Sequence, residues 1–142
     1  MKTRWCHYSV CDKLDLTRSG YNQYTASHPN GLWMSSEKGL GSWFDNPNIK
    51  HDINFRYKHV LGIRLDEILV IKTDEDAERF KKRFGYGDNQ RHEYNWVNVA
   101  KHYSGIYVAF SCVHTYFDCW DCESLVLWDL TQAILYTSSR RS

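Results

Sequence analysis

The chain lacks most of the features that announce a function directly. No apolar run reaches transmembrane length, and the opening residues, Met-Lys-Thr-Arg-Trp-Cys, contain no apolar stretch of the secretory kind. Surplus charge is missing too: 18 Lys and Arg face 17 Asp and Glu, a net of +1. A uniformly basic nucleic-acid surface is therefore not expected. The local basic groups are Arg140–Arg141 and the run Arg79, Lys81, Lys82, Arg83, and the run reads most simply as a solvated helix face. Five cysteines, an odd number, show no disulfide rhythm. There is no internal repeat, linker or low-complexity segment. These absences predict one domain over residues 1–142, cytoplasmic, with reduced thiols and no membrane partner.

Familiar chemical motifs are also missing. Gly39, Gly41 and the segment Gly85-Tyr-Gly87 lack the strand–loop–helix context of a phosphate loop. The seven histidines show no His-x-x-x-His spacing, and no cysteine sits in a nucleophile-type context.

Aromatic residues are abundant: six Trp, ten Tyr and six Phe, 15% of the chain. Such side chains fill cores and also line pockets that stack planar ligands. Strands are expected at 3–10 (TRWCHYSV), 31–36 (GLWMSS), 53–64, 67–72 (EILVIK), 105–111 (GIYVAFS) and 122–129 (CESLVLWD). Residues 130–136 read as a short helix or a closing strand, and 39–48 as a loop or helical turn. The strongest helix signal is 73–84. Thr73 can cap it, acids fill its first turn and bases its last, and Gly85 follows. A second short helix is expected at 95–103, with Trp96, Val99 and Ala100 on one face. Short strands outnumber helices, and the helices are not regularly interleaved. That pattern predicts an α+β fold: two small, largely antiparallel sheets forming a split sandwich around a cleft, with two or three short helices.

Three polar clusters fall on or beside expected strands. The first is Arg4, His7 and Tyr8. Alternation puts Arg4, Cys6 and Tyr8 on one face of the strand and Trp5 and His7 on the other. The second is Ser35-Ser36-Glu37, at the end of GLWMSS. The third is Trp120-Asp121-Cys122-Glu123-Ser124, where two carboxylates precede the apolar run Leu125–Trp128. On a strand, Asp121 and Glu123 point the same way. Two like charges entering a buried strand raise one another's pKa, so such a pair suits a site that faces water or a ligand.

These clusters, in this order, resemble the ADP-ribosyltransferase-like domains, of the small kind found in phage and bacterial toxins. In that family a first strand carries an Arg or His, a middle strand a Ser-Thr-Ser-like motif or an aromatic, and a late strand a Gln/Glu-x-Glu. The matching positions are Arg4 or His7, Ser35–Ser36 after Trp33, and Asp121-x-Glu123, where Asp replaces the family's longer first residue. The resemblance implies NAD as cofactor and a macromolecular acceptor, protein or nucleic acid. It implies Glu123 and Asp121 as catalytic residues. Glu123 would stabilise the oxocarbenium character that develops on the ribose as nicotinamide leaves, and Asp121 would orient the nucleophile. Arg4 or His7 would hold the ribose or pyrophosphate side, and Ser35 or Ser36 would support Glu123. Trp33, Tyr8 or Tyr107 would stack on the nicotinamide.

The competing expectation is a non-catalytic protein that captures a nucleotide or a partner. A structural zinc site could stabilise it, built from Cys6-x4-Cys11 and Cys119-x2-Cys122 with His7 or His114 as further ligands. The simpler reading of Cys6, Cys112 and Cys122 is that they are small core residues.

Overall fold

A computed structural model describes residues 2–17, 21–37, 42–43, 54–85, 93–117 and 120–141. The elements in chain order are β1 (Lys2–Ser9), β2 (Thr25–Ala26), β3 (Leu32–Met34), β4 (Tyr57–Arg64), β5 (Ile68–Ile71), α1 (Asp74–Phe84), β6 (Tyr94–Asn95), α2 (Trp96–His102), β7 (Gly105–Val108), α3 (Phe110–Tyr116), β8 (Ser124–Leu127), a 3-10 turn (Leu130–Gln132) and β9 (Ala133–Arg140). The fold is α+β with small open sheets. One sheet has the order β1-β4-β9 and another β3-β8-β7-β5, and β2 pairs with β6. The expected pair of sheets thus gains a third, two-stranded one.

The pairing is antiparallel except between β5 and β7. A parallel pair needs a long crossover, and α1, β6 and α2 supply it. Strands β1 and β3 meet through a single bridge, with Cys6 N–H donating to Ser35 O at 2.8 Å and Ser35 N–H to Cys6 O at 3.0 Å.

Local chemistry explains the elements. Helix α1 starts at a capping box: the Thr73 hydroxyl accepts from Asp76 N–H, and the Asp76 carboxylate accepts from Thr73 N–H. Acids at 74–76 and bases at 81–83 complement the helix dipole. Gly85 ends the helix in an extended conformation and bridges to Tyr94. Helix α2 is capped by Asn95, whose side chain accepts from Asn98 N–H.

Helix α3 corrects the expected strand 105–111, which stops at Val108. No side-chain cap marks its start at Ala109, and it is only seven residues long. Cys112, Val113 and Tyr116 form its buried face, at helical rather than alternate spacing. Residues 130–136 hold both expected outcomes in succession, a helical turn and then a strand that runs on to Arg140. The β4 strand begins at Tyr57, and residue 53, where a strand start was expected, lies outside the described residues, as does most of 39–48.

The β3-β8-β7-β5 sheet is covered on both faces. One face carries Trp33, Ile106, Val108 and Val126 and packs on Phe80, Trp96 and Trp120. The other carries Met34, Leu125 and Leu127 and packs on Trp5, Leu61 and Ile63 of the β1-β4-β9 sheet. A third, small cluster of Cys6, Tyr8 and Val60 lies on the opposite face of β1, against Trp43 and Phe55. Among the described residues no helix is long and apolar enough to cross a membrane.

Candidate functional site

The sheet register brings the second and third polar clusters together. Strand β3 runs antiparallel to β8 with Met34 opposite Leu125, so the chain leaving β3 meets the chain entering β8. Ser36 donates to Glu123 twice, through its backbone N–H to Oε1 at 2.9 Å and through its hydroxyl, 2.9 Å from Oε1 and 3.1 Å from Oε2. On β7, Tyr107 pairs with Leu125 and packs on the Met34 and Leu125 face of the sheet. Its hydroxyl donates to Glu123 Oε2 at 2.8 Å.

Three donors thus converge on a carboxylate that is only 7% exposed. An ionised carboxylate offers about four acceptor positions, and the described residues supply three donors. Burial, and then the adjacent Glu123 carboxylate, push the Tyr107 phenol well above its ordinary range. Tyr107 is a fixed proton donor in consequence. Trp5 packs edge-on against the Tyr107 ring, centroids 5.3 Å apart, and closes that side with apolar surface.

The other sequence-derived candidates divide. His7 lies on the Trp5 side of β1. Its Nδ1 is 2.6 Å from the Trp33 carbonyl. A carbonyl only accepts, so Nδ1 carries the proton and Nε2 is left as an acceptor. Burial lowers the His7 pKa, and the hydrogen bond to Trp33 offsets part of that. Its ring stacks on the buried His59 at 6.1 Å.

Arg4 lies on the other face of β1 and reaches Glu37 at 3.5 Å. Lys58 meets the same carboxylate at 3.0 Å, and that hydrogen bond is the main reason the Glu37 pKa falls below the ordinary value. Tyr8 also lies on that face, under the Arg141 guanidinium at 5.1 Å, and burial pushes its phenol up to about 12.

Ser35 faces away from Glu123: its hydroxyl accepts from Trp43 N–H at 2.9 Å. Trp33 packs on the helix side of the sheet, 4.7 Å from the Trp120 ring, so its indole is on the opposite face from Glu123. Asp121 is exposed while Glu123 is buried. The two do not form a pair facing one space, because residues 121–123 precede β8 and strand alternation does not govern them.

Sequence reasoning missed Trp5, Trp43 and Lys58. Trp43 ties the segments around the site, with its indole N–H 3.3 Å from the Ser124 hydroxyl. Alternation on β1 does put Trp5 opposite Arg4, but nothing local in the sequence marks Lys58 as a partner of Glu37, 21 residues away.

Of the described cysteines, Cys11 is exposed and Cys6, Cys112 and Cys122 are buried. Cys119 lies outside the described residues. Among the described residues no group of three or more His, Cys, Asp or Glu converges as a metal site would. No family model matches this chain, and neither a curated protein nor a solved structure matches it.

Proposed function

We propose that the protein is an NAD-dependent mono-ADP-ribosyltransferase acting on a macromolecular acceptor, protein or nucleic acid, with Glu123 as its catalytic residue. The observation that carries the reading is the Ser36–Glu123–Tyr107 arrangement. The carboxylate is buried and has three donors among the described residues, one fewer than the about four acceptor positions it offers. The fourth suits a ribose hydroxyl.

NAD supplies the scissile bond between nicotinamide and ribose. Breaking it develops positive charge on the sugar, as in glycoside hydrolysis. A carboxylate fixed in advance stabilises that charge without reorganising, and groups of this kind contribute about 3–4 kcal/mol. Ser36 and Tyr107 are positioning residues. They fix both oxygens of Glu123, and Tyr107, kept protonated, cannot take its place as the anion.

Of the two first-strand candidates, His7 fits this reading better than Arg4. It lies on the Trp5 side of β1 and its Nε2 has no hydrogen-bond partner among the described residues, while Arg4 is committed to Glu37 on the other face. Tyr107 is the remaining aromatic candidate on the Glu123 side, since Tyr8 and Trp33 face elsewhere.

The second reading, a binder without turnover, draws on the 7% exposure of Glu123. A carboxylate so enclosed also works as a tie between strands. Incubation with labelled NAD and with protein, DNA and RNA acceptors separates the two. Label transferred by the wild type and lost in Glu123→Gln supports the enzyme. Binding of NAD with neither transfer nor nicotinamide release supports the binder.

A further inference from the structure

Strand β4 carries a histidine that the Glu123 chemistry does not use. His59 is fully buried, at 0% exposure, and both of its ring nitrogens are engaged. Nε2 lies 3.0 Å from the Cys11 carbonyl, and Nδ1 lies 2.7 Å from the Ser138 hydroxyl. A carbonyl only accepts, so Nε2 carries the proton. In the neutral ring Nδ1 is then the acceptor, and the Ser138 hydroxyl donates to it.

Ser138 stands directly opposite His59 in the sheet register. Strand β9 is the outer strand, paired to β4 alone among the described strands, and Ser138 is exposed. A buried base therefore faces a hydroxyl that solvent reaches, and a main-chain carbonyl fixes the tautomer of the base. An activated nucleophile has these parts: attacking group and base within hydrogen-bond reach, and a third group that orients the base. Such constellations are defined by geometry and roles rather than by sequence position.

The surroundings narrow the substrate. The register places Leu135 opposite Leu61. Leu61 and His59 are two apart on β4 and share a face, so Leu135, 38% exposed, lies on the Ser138 side. It offers apolar surface to a short acyl chain. From Thr137 to Arg140 the pairing is regular, so every second N–H of β9 turns away from β4. Such donors suit a developing oxyanion. A carbonyl rather than a carboxylate stands behind His59, and this weaker support favours esters, whose oxygen leaves more readily than the nitrogen of an amide.

We propose that Ser138 and His59 form a second, hydrolytic site that takes short-chain acyl esters. Ser138 Oγ bonds to the acyl carbon as its proton passes to His59 Nδ1. The carbon–oxygen bond to the alcohol breaks, and His59 returns the proton to the departing oxygen. Water then adds to the acyl-serine by the same proton transfers, releasing the acid and restoring Ser138. Neither residue bonds to Glu123, so the site stands independently of the NAD reading.

A fluorophosphonate probe on the full chain tests the proposal, because Ser138 Oγ would displace its fluoride and leave a stable phosphoryl-serine. The same two hydrogen bonds also serve to satisfy a buried ring, and Ser139 separates the two roles. It is the next residue, equally classed as exposed, and stands opposite Lys58. Peptide mapping is expected to show Ser138 labelled at least about 10²-fold faster than Ser139. Hydrolysis of p-nitrophenyl butyrate should be lost in Ser138→Ala, with folding checked by thermal melts. The comparison within the wild type requires no variant of the buried His59. A smaller ratio, no label at Ser138, or ester hydrolysis unchanged in a folded Ser138→Ala overturns the proposal.

Discussion

Strands β8 and β9 are close in sequence and opposite in circumstance. Every residue of β8 is buried, held between β3 and β7 and packed on both faces. All but the first residue of β9 are exposed. The apolar runs Leu-Val-Leu in β8 and Ile-Leu-Tyr in β9 nonetheless look alike as text. Burial follows from neighbours rather than from the run itself. The difference also shows where chemistry can sit. The inner strand positions a carboxylate at its entrance, with donors from both flanking segments. The outer strand leaves Ile134, Leu135 and Tyr136 partly in water.

The largest test of this contrast compares two leucines. Leu125 is fully buried and Leu135 is 38% exposed. Leu125→Ala is expected to cost about 2–5 kcal/mol in chemical denaturation, while Leu135→Ala should stay within about 0.5 kcal/mol. Equal losses would break the comparison.

A smaller effect is expected at the entrance of β8. Tyr107→Phe removes one donor from Glu123 and leaves its ring packing in place, so a loss of about 1–2 kcal/mol is expected. Transfer activity should also fall, because Oε2 then keeps only the longer contact to the Ser36 hydroxyl. Stability lost without any change in activity would assign Tyr107 to the fold alone. At the helix start, Thr73→Ala should cost about 1 kcal/mol, readable in the same denaturation curves.

The smallest effect sits on the first strand. Burial depresses the His7 pKa below its ordinary 6.5, so the unfolded chain binds the proton more readily than the folded one. Stability is then fully present above that ordinary value and declines as pH falls through it toward the lower folded value. Melting temperatures measured between about pH 7.5 and about pH 5.5 should decline, with a shallower slope in His7→Gln. An unchanged slope in that variant would move the titration to another group.

Much of the strand framework was legible, because period-two alternation survives wherever one face is buried. On β1 it separates Trp5 and His7 from Arg4, Cys6 and Tyr8, and the structure has them on opposite faces. Capping chemistry likewise fixed the start of α1. What escaped was set by contacts distant in sequence. Helix α3 has no capping side chain, and burial against α1 and Trp120 rather than propensity holds it. Ser36 and Ser35 look equivalent in sequence, yet the bridge to Cys6 turns Ser35 toward Trp43 and leaves Ser36 to Glu123. Asp121 and Glu123 separate because the strand begins only at Ser124.

The central claim is that Glu123, held by Ser36 and Tyr107, drives cleavage of NAD. The most direct measurement is the rate of nicotinamide release and label transfer by Glu123→Gln beside the wild type, with folding verified by melting. A loss of about 10²–10³-fold in a folded variant is the predicted result. Turnover unchanged in a folded Glu123→Gln would contradict it.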